Sequence, residues 1–166
     1  IECLRMLIAA GGGCGLNAKD NRGYTPLHLA VRDDWREGVA LLIDIGADLE
    51  ATTSKGFDLL FDNVCGSKDT PLLLAIGQRR NKCVGLLLAG GASRSARDSV
   101  GNTAMHLAVS DRSIECLRML TAACGDCDLN ATNGTEGYTP LHLSVRDDWR
   151  EGVALLIETG ADLEAT

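Results

Sequence analysis

The sequence predicts an all-α solenoid: stacked helix-turn-helix units joined by β-hairpin-like loops. Three observations carry this. The chain repeats itself, each repeat opens on a helix-start signal, and the apolar residues suit short, close-packed helices. Ile1 to Leu7 recurs as Ile114 to Leu120, and Gly23 to Thr52 recurs as Gly137 to Thr166 with three substitutions: Ser144 for Ala30, Glu158 for Asp44 and Thr159 for Ile45. A shorter period lies inside the long one, marked by Thr25-Pro26-Leu27, Thr70-Pro71-Leu72, Thr103-Ala104-Met105 and Thr139-Pro140-Leu141. Its spacing falls in the low thirties once one insertion is set aside, the size of a supersecondary unit. Aromatics make up only 4% of the chain, so Leu, Ala, Val and Ile carry the apolar fraction, which favours helices over sheets.

Each unit opens on a Thr whose hydroxyl can cap a helix, followed in three units by Pro, whose missing N–H costs nothing at the first helical position. Leu27-His28-Leu29-Ala30-Val31 then makes a short inner helix. Val39, Leu42 and Ile43 fall at i, i+3 and i+4 on a second helix, which Gly46 stops. Ala47 to Thr52 and the polar, Gly-containing lead-in of the next unit form an extended turn between helix pairs.

Gly23-Tyr24-Thr25-Pro26-Leu27-His28-Leu29-Ala30 and Leu41-Leu42-Ile43-Asp44-Ile45-Gly46-Ala47-Asp48 resemble the ankyrin repeat. The resemblance covers essentially the whole chain as a single ankyrin-repeat domain, 1–166. It implies a partial unit at 1–19 and units at about 20–53, 54–97 with an inserted loop at 54–69, 98–132 and 133–166. It also implies a histidine at His28, His106 and His142 that bonds to backbone or Thr between units. Leu73 departs from that pattern, and Asp34 and Asp148 stand where the family has an inter-helix Gly. Asp accepts the left-handed backbone expected there better than most residues do.

Other features have bland and sharp readings. The insertion carries Phe57, Leu59, Leu60, Phe61 and Val64. These apolar residues either fold back on neighbouring units or form a partner-binding finger. Gly38 and Gly152 lie inside second helices that Trp35 and Trp149 open. Each Trp is expected to pack over that Gly or over the next unit, with an exposed anchor as the alternative. Asn17 and Asn130 resemble an asparagine that is hydroxylated in some ankyrin repeats, although an ordinary turn residue is the simpler reading.

Composition excludes several functions. The net charge of −7, with signs interspersed, argues against nucleic acid and for a neutral or locally basic partner. Most of the seven cysteines sit in apolar stretches, as small buried hydrophobes do, which points to a reducing, cytoplasmic setting. No apolar run reaches the length of a membrane span. The histidines lie a repeat apart and cannot converge on a metal or a nucleophile. Cys124-Gly125-Asp126-Cys127 lacks a second ligand pair. Asp33-Asp34 and Asp147-Asp148 fall on exposed loops, and Gly11-Gly12-Gly13 follows a helix where a phosphate loop would lead one. Neither an enzyme nor a cofactor is expected.

What remains is a protein-binding scaffold. Stacked helix pairs present a concave face of hairpin tips and inner-helix ends. The family's usual contact positions fall on Arg22, Tyr24, Arg32 and Asp33, on Asp69, Gly77 and Gln78, on Asn102, Ser110 and Asp111, and on Tyr138, Arg146 and Asp147. Recurrence of the Tyr and Arg predicts two similar sub-sites. The alternative is a structural spacer within a longer protein. Ile1 opens mid-unit without an initiator Met, and uncapped ends would be expected to associate head to tail.

Overall fold

The computed structural model describes residues 15–54, 68–122 and 129–164, and among these it has eight α-helices and no strand. The inner helices are α1 (Pro26–Arg32), α3 (Pro71–Gly77), α5 (Ala104–Ser110) and α7 (Pro140–Arg146). The outer helices are α2 (Arg36–Asp44), α4 (Asn81–Ala89), α6 (Ile114–Ala122) and α8 (Arg150–Glu158). Each inner helix packs on its own outer helix and on the inner helix of a neighbouring unit, and the outer helices form a second row. The solenoid follows directly from the repeated sequence. Phe57 to Val64, Cys124 to Cys127 and Gly11 to Gly13 lie outside the described residues.

The local signals act as their chemistry requires. Thr25, Thr70, Thr103 and Thr139 are N-caps with extended backbone. After each inner helix one residue turns left-handed: Asp34 (φ 52°), Arg79 (57°), Arg112 (50°) and Asp148 (50°). The Asp residues were expected there, the Arg residues were not. Each left-handed turn lets the next N–H reach back five residues, from Trp35 to the Ala30 carbonyl at 2.8 Å and from Arg80 to the Ala75 carbonyl at 2.8 Å. This closure satisfies carbonyls that the helix end would otherwise leave unpaired, which offsets roughly 1–2 kcal/mol of left-handed strain. Gly46 (φ 85°) ends α2 the same way, with Ala47 N–H donating to the Leu42 carbonyl at 2.9 Å.

The core runs as a stripe between the two rows. Leu27, Val31, Val39 and Leu42 are buried in the first pair, and every residue from Pro71 to Ile76 is buried in α3. Leu73, in the histidine position, is fully buried. Cys83 and Cys116 are free and buried in the outer row. Burial pushes the Cys83 thiol up to about 11, so it stays protonated and packs as a small hydrophobe.

Trp35 lies over Gly38. A Cβ on Gly38 would sit 2.2 Å from the Trp35 ring, and one on Gly152 would sit 2.1 Å from the Trp149 ring. The indole occupies the space a side chain would need. Gly38→Ala is therefore expected to destabilise the chain by about 1–2 kcal/mol in urea unfolding, although Ala is intrinsically the better helix former by up to ~1 kcal/mol. A stabilising Gly38→Ala would refute this packing.

Candidate partner-binding face

The face is built from hairpin lead-ins and the ends of inner helices. Three described lead-ins are each held by one side chain. Asp20 Oδ1 accepts from Arg22 N–H at 2.9 Å and Tyr24 N–H at 2.8 Å. Asp98 Oδ1 does the same for Val100 and Asn102, and Asn133 Oδ1 for Glu136 and Tyr138. A short Asx side chain that captures two amides fixes the hairpin before any neighbour arrives. Neighbouring hairpins then join through backbone: Ser54 N–H donates to the Arg22 carbonyl at 3.0 Å, and Gly134 N–H to the Val100 carbonyl at 3.1 Å.

Two of the three motif histidines, His28 and His106, join units as expected. Thr25 N–H donates to His28 Nδ1 at 3.2 Å, so Nδ1 is the acceptor and the proton sits on Nε2. Nε2 then reaches the Asp69 carbonyl of the next unit at 3.1 Å. His106 repeats this with Thr103 and the Tyr138 carbonyl at 2.9 Å. His142 bonds Thr139 through Nδ1, while its ring is exposed. Burial lowers the pKa of His28 and His106.

The structure sorts the predicted contact residues. Arg22 and Ser110 are exposed, and Gln78 and Asn102 are half-buried, with the Asn102 amide donating to Asp98 Oδ2 at 3.1 Å. Arg32 Nε donates to Asp33 Oδ1 at 2.9 Å, and that bond holds the Asp33 carboxyl below its usual range. Arg146 pairs with Asp147 at 2.8 Å and Glu136 at 3.4 Å, and lies 5.8 Å from the centre of the Tyr138 ring. Asp111 has one oxygen 3.7 Å from Arg79 and the other buried without a partner, and burial raises its pKa.

Two predicted contact residues are buried. Tyr24 and Asp69 are 7% and 3% exposed, and the Asp69 carbonyl takes His28 Nε2 of the preceding unit. The two sub-sites are consequently not matched: Tyr24 meets His28 edge-on at 80°, whereas half-buried Tyr138 stacks on His142 at 19°.

Sequence reasoning missed a ladder of arginines across the inter-helix turns. Arg80 donates to the Arg32 carbonyl at 3.2 Å, Arg79 to the Asp111 carbonyl at 3.2 Å, and Arg112 to the Asp147 carbonyl. The available signal was a long cation at or beside the turn position. Asn17 and Asn130 are also structural bridges: each side-chain oxygen accepts the amide of the following unit, Asp48 at 2.9 Å and Asp162 at 2.8 Å. Among the described residues no cluster of His, Cys, Asp and Glu could hold a metal ion, and no helix is long and apolar enough to cross a membrane.

The chain matches the family model of the ankyrin repeat at residues 22–54 and 136–166, and that of ankyrin repeats in three copies at 50–133. It belongs to the ankyrin-repeat family. It is 39% identical over 152 residues to human B-cell lymphoma 3 protein, covering 88% of this chain and 31% of the relative. It is 32% identical over 158 residues to the chicken nuclear factor NF-kappa-B p105 subunit (91% and 14%), and 34% identical over 148 residues to human NF-kappa-B inhibitor alpha (86% and 44%). The chain thus spans under half the length of each. Ankyrin repeats are protein-interaction modules, typically without enzymatic activity, and binding a protein is the general role that membership gives this chain.

Proposed function

We propose that the chain is one ankyrin-repeat domain, with units at about 20–53, 54–97, 98–132 and 133–166, that holds a partner protein along the concave face. The observation that carries this is the in-register row of inner-helix ends, which places Arg32, Asp33, Gln78, Ser110, Asp111, Arg146 and Asp147 along one edge of the stack. Arg22, Asn102 and Tyr138 add the hairpin side. The edge alternates charge and spreads its side chains over four units, which suits many shallow contacts with an extended protein surface. Two relatives carry NF-kappa-B in their names, one as a subunit and one as an inhibitor, which supports an NF-kappa-B subunit as the first partner to test. Free buried thiols at Cys83 and Cys116 support a reducing, cytoplasmic setting.

The test is a titration with a purified NF-kappa-B subunit, using the chain and a variant with Arg22, Arg32, Tyr138 and Arg146 all changed to Ala, after circular dichroism shows equal helicity. Binding by the parent chain and a loss of at least ~10-fold in the variant is the expected result. Equal binding by both would remove the concave face from the proposal. No binding by either would remove this partner and favour the spacer role.

A further inference from the structure

After the outer helix, three units carry Asp-Leu followed by an acid or an amide: Asp48-Leu49-Glu50, Asp128-Leu129-Asn130 and Asp162-Leu163-Glu164. The second unit has Ser93-Arg94-Ser95 in that place. Asp48 Oδ1 accepts the Glu50 amide and Asp162 Oδ1 the Glu164 amide, both at 2.9 Å, whereas Ser93 Oγ takes the Ser95 amide at 3.3 Å. The residue in the Ser95 position then bridges to the next unit at the other described junctions. Asn17 Oδ1 accepts the Asp48 amide at 2.9 Å, Glu50 Oε1 the Ser93 amide at 2.7 Å, and Asn130 Oδ1 the Asp162 amide at 2.8 Å. Among the described residues Ser95 makes no such bridge, and its hydroxyl lies 3.0 Å from Ser93 Oγ.

The same stretch holds two cations without anions. Arg94 stands where the other units have Leu, and its Nε is buried without a partner. Arg97 donates through Nη1 to the Gly101 and Thr132 carbonyls at 2.8 and 2.6 Å. Among the described residues neither arginine has a carboxylate within ion-pair distance. Ser95 lies exposed between them. An anion placed on Ser95 would meet charge-assisted donors that nothing else in the described chain neutralises.

We infer that Ser95 is a phosphorylation site. A protein kinase selective for serine with neighbouring arginines transfers the γ-phosphoryl group of ATP to Ser95 Oγ. The Oγ–P bond forms as the bond to the ADP oxygen breaks, and the hydroxyl proton passes to the kinase's base. Cβ–Oγ–P–O of phosphoserine counts the same bonds as Cβ–Cγ–Cδ–Oε of glutamate, so it reaches as far as Glu50 does and supplies the acceptor that this junction lacks. It adds about −1.5 to −2 of charge. Arg97 is two residues on, at most ~7 Å along the chain, and within reach of that charge. Glu50 opposes the phosphate, but one carboxylate faces two arginines. The neighbouring serines are poorer acceptors. Ser93 is half-buried with its amide on the Glu50 carboxylate, and Ser99 lies in a turn fixed by the Asp98 carboxylate.

The test incubates the full chain with radiolabelled ATP and protein kinase C, an arginine-directed serine kinase, and locates the phosphate by mass spectrometry. The expected result is phosphate on Ser95, none there in Ser95→Ala, and a Tm about 3 °C higher in the phosphorylated chain, the shift that one added hydrogen bond gives a chain of this size. Ser95→Glu, which needs no kinase, should move Tm in the same direction. Phosphate confined to Ser93 or Ser99, or no incorporation into the folded chain, would overturn the inference. So would a Tm that stays level or falls on phosphorylation and in Ser95→Glu, which would show that repulsion from Glu50 outweighs the arginines.

Discussion

Gly101→Ala is expected to destabilise the chain by about 2–4 kcal/mol and to uncouple its last helix pair. Gly101 has φ 85°, where an L side chain already costs roughly 1–2 kcal/mol. The added Cβ would also stand 2.5 Å from Gly134 N and 2.7 Å from Gly134 Cα, both backbone atoms of the neighbouring hairpin. Relief requires the hairpins to part, which breaks the Gly134 amide bond to the Val100 carbonyl. It also strains the bonds from Arg97 to the Gly101 carbonyl at 2.8 Å and the Thr132 carbonyl at 2.6 Å. In a solenoid, stability sums over neighbouring interfaces, so a loss at one junction should appear as an earlier, separate melting of α7 and α8. Urea unfolding followed by Trp149 fluorescence in a Trp35→Phe background and by total helicity distinguishes the two steps. A single coincident transition, shifted by under ~0.5 kcal/mol, would show that the hairpins do not meet as described.

The same junction shows what the sequence could and could not disclose. Thr25-Pro26 and its equivalents state where each inner helix begins, because capping and proline chemistry are local. The positive φ of Asp34 and Asp148 was legible for the same reason. Arg79 and Arg112 were not, since a long cation has no intrinsic wish for that backbone; their turns hold through the helix-end closure and a carbonyl in the next unit. The packing of Trp35 on Gly38 was legible as an alternative and became definite only with coordinates, because spacing alone does not choose between a Gly three residues on and a neighbouring helix. The burial of Tyr24, against the half-buried Tyr138 of its near-copy, was not legible in the sequence. Identical local sequence fixes the backbone, but exposure depends on which unit comes next, which is a long-range fact. The contact residues share that limit: Arg32 and Asp33 could be placed on an inner-helix end, while their pairing with each other could not.

Histidine chemistry makes a further expectation specific: the chain should lose stability as the pH falls below about 6.5, before most carboxylates titrate. Burial is the main cause that lowers the pKa of His28 and His106; the bonds from Nε2 to the Asp69 and Tyr138 carbonyls act against it, Lys19 and Arg97 act with it, and Asp20 and Asp98 against it. The bonds at Nδ1 prefer the neutral ring. Nδ1 of each accepts its Thr amide, at 3.2 Å for both, so a second ring proton would face a donor at its own position. A folded-state pKa below the unfolded value means that the unfolded chain binds the extra protons. The stabilisation is therefore complete above the unfolded pKa and is lost as pH falls towards the folded one. Urea midpoints should stay level between pH 8 and 7 and then fall as the pH drops below about 6.5. The chain supplies its own control, since Leu73 fills the histidine position in the second unit and is fully buried there. His28→Leu with His106→Leu should cost about 1–2 kcal/mol per site at neutral pH through lost inter-unit hydrogen bonds, yet flatten the decline in that window. A double variant as acid-sensitive as the parent would assign the decline to carboxylates, and the inter-unit histidines would then have no part in it.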